Sequence, residues 1–326
     1  MLTPLGCRFQ ELVSRAAQLL AVEPALIEQA LQEKGQYQRR TRKKPGKDAE
    51  GRPRIRVLHV PPPVVKEVQR AIHRHLLNLG NSWFRKLGSD FAWPIAMHGF
   101  LPRRSNLTAA RDHIGNTALF TLDFADAFPS VRRERVATAL RWHAKLGRQE
   151  ANFIARLATY RGRLCQGSPS SPLLFNLVVL NLLKSLERLA AERGYRVTIY
   201  CDEVAITADK PIPAEERRAI LQLVIQAGFA VHPKKIRYQE ARWGALEVTK
   251  VLVRPDRLGL STRHTIDRVR AFIDHLARRG TADTKELAKA KGYIGWVELV
   301  DPEKLKTRLR KSLAQLAKLE QSGGHS

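Results

Sequence analysis

Residues 195 to 208 read Tyr195-Arg-Val-Thr-Ile-Tyr-Cys-Asp-Glu-Val-Ala-Ile-Thr-Ala208. The alternation on either side of Cys201-Asp202-Glu203 predicts two β-runs with the polar residues at the bend between them. Upstream, Thr117 to Phe124 (TALFTLDF) reads as a buried strand that ends on a second acidic site, Asp123 with Asp126. Between the two sites the pattern predicts helices over 133–142, 152–160 and 171–192. Beyond them it predicts a helix from Pro213 to near Gly228, a short strand over 247–253, and helix from His264 to about Leu319, interrupted at Gly280 and around Gly292 to Gly295. Toward the N-terminus, a small helical element occupies residues 8–33, and a long amphipathic helix runs from Val64 to Leu77 after Pro61, Pro62 and Pro63. This order predicts an α+β fold whose small sheet carries the acidic residues.

The charge balance names the class of partner. In 326 residues, 57 Lys and Arg face 31 Asp and Glu, a net charge of +26. That excess is far beyond what solubility needs, and its economical cause is a polyanion whose counterions Lys and Arg displace. Nucleic acid is therefore the expected partner. An anionic membrane is the rival reading, but no apolar run approaches the ~18 residues of a spanning helix, and the N-terminus lacks a signal-peptide pattern. The expectation is a soluble, cytoplasmic protein with no membrane partner. Cys7, Cys165 and Cys201 form no CxxC pair, which argues against structural zinc and a disulfide framework.

The basic residues are not evenly spread. Arg39, Arg40, Arg42, Lys43, Lys44, Lys47, Arg52, Arg54 and Arg56 crowd one stretch, punctuated by Pro45, Gly46, Gly51 and Pro53. Gly and Pro there predict a turn joining two extended arms. The run reads either as a nucleic-acid-binding arm or as a solvated hairpin or linker.

Carboxylates projecting from adjacent strands can hold Mg²⁺, a hard cation that takes oxygen ligands and commonly pairs one or two carboxylates with substrate phosphates. Taken singly, Asp at a strand end is a common turn residue. Between the acidic sites, Leu164-Cys-Gln-Gly-Ser-Pro-Ser-Ser-Pro172 opens a helix. Gly167 there permits close backbone approach, and Ser170 or Ser171 is available as a cap.

Taken in order, His98-Gly-Phe-Leu-Pro-Arg-Arg-Ser105, Leu122-Asp-Phe-Ala-Asp-Ala-Phe-Pro-Ser130, Leu164 to Pro172 with Asn176, Tyr200-Cys-Asp-Glu203 and Gly228-Phe-Ala-Val-His-Pro-Lys-Lys235 resemble the successive motifs of bacterial reverse transcriptases, nearest the retron type. The resemblance runs from about Arg39 to Leu313. It implies a right-hand polymerase with helical and basic fingers, a small antiparallel palm sheet and a helical thumb. The corresponding divisions are 1–35 for the N-terminal helical element, 36–116 for the fingers, 117–255 for the palm with a fingers segment around 130–170, and 256–326 for the thumb and tail.

By the same resemblance, Asp123, Asp202 and Glu203 are the catalytic, metal-binding carboxylates for two Mg²⁺ ions, with Mn²⁺ as a substitute. Phe128 matches the aromatic gate that selects dNTPs. Gln166 and Gly167 line the nucleotide pocket, Lys235 lies near the triphosphate, and Arg104 with Arg52, Arg54 and Arg56 are basic fingers positions. The implied partners are a structured RNA template, the RNA·DNA hybrid, dNTPs and an effector protein, in a retron-type role in phage defence.

The chain departs from the family's pattern at three places. Tyr200-Cys-Asp-Glu203 replaces Tyr-Ala-Asp-Asp, Ala109-Ala-Arg-Asp-His113 replaces Asn-Ala-x-x-His, and Val248-Thr-Lys250 replaces Val-Thr-Gly. A catalytically silent RNA-binding descendant and the polymerase part of a group II intron protein are the alternatives. Apart from the resemblance, Trp93, Trp243 and Trp296 read as core anchors, and His98, His113, His232 and His264 as packing or surface residues without metal-ligand spacing.

Overall fold

The computed structural model describes residues 4–47, 51–79 and 92–322. Two helices open the chain, α1 (Pro4–Leu20) and α2 (Pro24–Glu33). They bury Val13, Ala16, Ala17, Leu20, Ile27 and Ala30 against α3 (Pro63–Leu79), whose Val65, Val68, Ile72, Leu76 and Leu79 recur at helical spacing on one face. Between α2 and α3 the basic stretch forms an antiparallel ribbon, β1 (Gln38–Lys47) with β2 (Pro53–Val60), irregular between Lys43 and Lys47. The two extended arms expected from Gly and Pro are therefore strands of one hairpin.

The central sheet has the order β4 (Arg196–Tyr200), β5 (Glu203–Ala208), β3 (Ala118–Asp123), β6 (Arg237–Glu240), all antiparallel. It is covered on both faces, which is why its strands read as nearly continuous apolar runs. Ala118, Phe120, Leu122, Val204, Ile206 and Ala208 face the larger core, while Leu119 and Ala205 belong to a second one.

The larger core is completed by α5 (Arg133–His143), α6 (Arg148–Ala158), α7 (Ser171–Arg193) and α8 (Ala214–Gln226), the last being the helix expected from Pro213. Helix α7 is buried along most of its length and stops at Gly194, whose φ of 72° supplies the left-handed cap. Its N-cap Ser170 makes no capping bond; the hydroxyl instead lies 3.2 Å from that of Ser168. The short helix α4 (Asn106–Arg111) begins at a Ser105 capping box.

The strand expected over 247–253 is two strands. β7 (Leu246–Val248) and β8 (Val251–Val253) pair across Thr249 and Lys250, and β9 (Leu258–Gly259) adds a third. Both turn residues have positive φ, 49° and 68°, as a two-residue hairpin of the primed type requires. Thr-Lys lacks the Gly or Asn that marks such a turn, so the sequence read as a single run. The second core joins this hairpin sheet to α9 (Asp267–Arg279), α10 (Thr284–Val300) and α12 (Arg310–Ser322), and also takes in Leu107 and Ala110 of α4.

Gly292 and Gly295 do not interrupt the C-terminal helices. Both lie inside α10, and the chain breaks instead at Asp301-Pro302, before α11 (Pro302–Arg308), and at Leu309. Trp243 is also corrected: its ring is exposed, edge-on to Tyr238, rather than a core anchor.

Candidate active site

Strand pairing brings the acidic residues of distant motifs together. Asp123 ends β3 directly opposite Glu203, which begins β5, and the Phe124 N–H donates to the Asp202 carbonyl at 2.8 Å. Cys201, at φ 57°, makes the tight bend between β4 and β5. The loop before α4 presses on that bend so closely that a Cβ at Gly99 would stand 2.4 Å from the Cys201 nitrogen. Lys235 reaches in from the turn ahead of β6, the neighbour of β3, its Nζ 2.6 Å from Asp123 Oδ2. Burial, and then the neighbouring Asp123, push the Asp202 carboxyl above the usual range. Burial also raises that of Glu203.

Asp123, which already holds an ammonium, and the buried Asp202 offer only hard oxygen donors, a donor set suited to Mg²⁺. Among the described residues no group of three or more His, Cys, Asp or Glu forms a ready metal cage. That is compatible with an ion that draws its remaining ligands from substrate phosphates and water.

The other expected residues separate into those at the site and those elsewhere. Phe128 packs edge-on against Phe175 with centroids 5.5 Å apart and lies 6.1 Å from Phe100, half-buried beside the acidic strand end. The Gln166 carbonyl accepts the His59 N–H at 2.7 Å, fastening the basic hairpin to the loop ahead of α7. Gly167 has φ 113°, and a Cβ there would meet the His59 carbonyl oxygen at 2.7 Å, so this close approach requires glycine.

A cleft of about 350 Å³ lies along this joint, lined by Arg56 and His59 of the hairpin, Asp126, Tyr160, Arg161, Arg163 and Gln166. The buried Gln166 Oε1 has no protein partner there. Arg39, Arg40, Arg42, Lys43 and Arg56 are exposed, Arg52 and Arg54 lie on the same hairpin, and the backbone of Lys44 belongs to β1.

Arg104 is engaged within the chain: its guanidinium donates to the carbonyls of Trp93, Pro94 and Met97 and so ties the loop ahead of α4 together. Glu203 also has a competing commitment, since its Oε1 accepts the Thr249 N–H at 3.0 Å.

The family profile described as reverse transcriptase (RNA-dependent DNA polymerase) matches residues 42–252, well over half of the chain. The chain belongs to the reverse transcriptase family. Its curated relatives include the retron Mx65 reverse transcriptase of Myxococcus xanthus, 33% identical over 275 residues, covering 79% of this chain and 61% of that protein. The retron Ec86 reverse transcriptase of Escherichia coli is 26% identical over 83% of this chain and 78% of its own length. The retron Mx162 reverse transcriptase of Myxococcus xanthus is 33% identical over 69% of this chain and 52% of its own. The chain thus spans about three fifths of the Mx65 protein and half of the Mx162 protein. It is a retron-type member with a right-hand polymerase fold.

Within this reverse transcriptase frame, His113, read above as packing or surface, and Asn176, read only as part of a motif, hold the site from behind. His113 is fully buried between the hydroxyls of Thr207, 2.7 Å from Nδ1, and Thr198, 2.8 Å from Nε2, so it bridges β4 and β5 beneath the acidic bend. Burial pushes its pKa down to about 4, which keeps the ring neutral. Asn176 Nδ2 donates to the Gly99 carbonyl at 2.8 Å, linking α7 to the loop that abuts Cys201. The available signal was a Thr on each of the two strands that flank the Cys201-Asp202-Glu203 bend.

Among the described residues no helix is long and apolar enough to cross a membrane.

Proposed function

We propose that the protein is an RNA-directed DNA polymerase that copies a structured noncoding RNA into DNA by two-metal nucleotidyl transfer. The observation that carries this reading is the convergence of Asp123, Asp202 and Lys235 at one strand end, within a chain of the reverse transcriptase family. Asp123 and Asp202 hold divalent metal, Mg²⁺ with Mn²⁺ as a substitute. When bound, the ions supply positive charge for a phosphoryl transfer in which catalysis is mostly positioning and neutralisation.

In this reading the primer 3′-oxygen bonds to the α-phosphorus of a dNTP as the bond to pyrophosphate breaks, and the hydroxyl proton leaves to solvent. Asp123 would help hold the metal, and Lys235, released from its ion pair with Asp123, would neutralise the triphosphate. Phe128 stands where a ribose 2′-hydroxyl would project, and Gln166 and Gly167 border the nucleotide.

The hairpin takes the nucleic-acid backbone. Arg42 pairs directly opposite Arg56 in its register, and like charges so placed destabilise a ribbon until an anion lies between or over them. The template of a retron-type system is a dedicated structured RNA, and a place in phage defence with an effector partner extends from the same kinship.

Extension of a DNA primer on an RNA template with dNTPs and Mg²⁺ tests the proposal. Asp123→Asn and Asp202→Asn should each abolish extension while RNA binding persists. Wild-type rates in either variant would overturn the metal assignment. Tight RNA binding with no extension by the unaltered protein would leave an RNA-binding protein of the same fold.

A further inference from the structure

Glu203 stands next to the two carboxylates that the polymerase reading uses, yet its surroundings differ from theirs. Asp202 has Lys235 and Arg56 as its nearby cations, whereas the cation near Glu203 is Arg237 on β6. Its Oε1 accepts the N–H of Thr249 at 3.0 Å, and Thr249 is the first residue of the left-handed turn between β7 and β8. The same turn is held from a second direction. The Thr249 hydroxyl shares its one proton between the Val248 carbonyl at 2.8 Å and the Asn106 carbonyl at 3.1 Å, and Asn106 Nδ2 donates to the Thr249 carbonyl at 3.4 Å. Asn106 begins α4, the helix that shares the second core with the hairpin sheet and the C-terminal helices.

A two-residue turn with positive φ at both non-glycine positions carries strain that neighbouring contacts must offset. An aspartate at 203 would be shorter by one carbon–carbon bond, about 1.5 Å, and would not reach the Thr249 amide from the same backbone position.

We propose that Glu203 is a positioning residue that locks the Val248-Thr249-Lys250 turn, and with it the C-terminal helical core, onto the acidic end of the palm sheet. Its role is to accept the Thr249 amide hydrogen bond rather than to ligate metal. The proposal rests on the polymerase reading only for its activity measurement. The geometric part stands without it.

Three variants separate the roles: Glu203→Gln keeps an acceptor oxygen at the same reach without the charge, Glu203→Asp keeps the charge without the reach, and Glu203→Ala keeps neither. Amide hydrogen exchange at Thr249, read in metal-free buffer on the full chain, reports the hydrogen bond directly. Primer extension in Mg²⁺ reports its consequence.

Glu203→Gln should keep Thr249 protection and at least about a third of the extension rate. Glu203→Asp and Glu203→Ala should lose protection and extension by about tenfold or more, the scale of one hydrogen bond to a charged group. Equal Thr249 protection in all four proteins would overturn the anchor. Protection retained in Glu203→Gln with extension lost as completely as in Asp123→Asn would make Glu203 a metal ligand and overturn the assignment. If Glu203→Ala does not fold, the Gln and Asp variants decide by the same two readouts. If the unaltered protein extends no primer, the polymerase reading fails and the exchange data alone decide.

Discussion

Lys235 Nζ sits 2.6 Å from Asp123 Oδ2, so the carboxylate at the end of the central strand already holds a cation supplied by the chain. Any metal that binds Asp123 competes with that ammonium. Lys235→Ala should therefore bind Mg²⁺ more tightly in the absence of dNTP, and added Mg²⁺ should raise its melting temperature more than it raises the wild type's. Extension should nevertheless fall, with KM for dNTP rising by roughly tenfold or more, the scale set by losing a charge-assisted contact to phosphate. Identical Mg²⁺ thermal shifts in the two proteins would dissociate Lys235 from the metal site.

Asp202 is raised above the usual carboxylate range by burial and by Asp123. A raised value means the folded state holds the proton more tightly than the unfolded chain. The contribution of Asp202 to stability is thus present at low pH and lost as pH rises through the folded value. In metal-free buffer at neutral pH, Asp202→Asn should melt no lower than the wild type, even though it cannot extend a primer. A fall of more than about 2 °C, the shift that roughly 1 kcal/mol produces in a chain of this order, would mean the carboxylate stabilises the fold.

Replacing Phe128 with Ala should raise rNTP incorporation relative to dNTP, since the half-buried ring is proposed to occupy the space of a 2′-hydroxyl. The loss of packing on Phe175 should cost about 1–3 kcal/mol, below the range for a fully buried Phe. An unchanged rNTP/dNTP ratio in an active variant would leave Phe128 as packing alone.

Gly167→Ala places a Cβ 2.7 Å from the His59 carbonyl oxygen at a backbone φ of 113°. The hairpin must then move off the loop or the turn must strain, a cost of about 1–3 kcal/mol. Melting temperature should drop, and so should affinity for the template, because the displaced hairpin carries Arg39 to Arg56. Unchanged RNA affinity would show that the joint does not set the hairpin's position.

Changing Arg39, Arg40, Arg42, Lys43 and Lys44 together to Ser should flatten the salt dependence of RNA binding. Counterion release gives a log–log slope of roughly −0.7 per phosphate neutralised on a single strand, so each lost contact removes about that much. An unaltered slope would return the run to a solvated hairpin.

Much of this protein was legible in its sequence, for local reasons. The alternation around Cys201-Asp202-Glu203 and the apolar run ending at Asp123 specify strands because period and burial are properties of neighbouring residues, and both appear as β4, β5 and β3. The net charge and the Gly- and Pro-punctuated basic stretch likewise gave a hairpin before any contact was known.

Other features depend on partners far along the chain. Thr249 and Lys250 turn left-handed because β7 and β8 pair and because Glu203 and Asn106 hold Thr249, none of which is visible within Val248-Thr249-Lys250 itself. Arg104 looked like any other cation of a basic protein until the folded loop placed three carbonyls around it. Gly292 and Gly295 look like breaks by propensity but lie on the exposed side of a helix whose buried face is Ala290, Val297 and Val300, so packing of that face carries the helix through them. The sequence by itself determined strands, helices and charge, which follow from local period and composition. The tertiary structure alone decided which carboxylates meet a cation and which meets an amide, because those choices turn on contacts between residues more than forty positions apart.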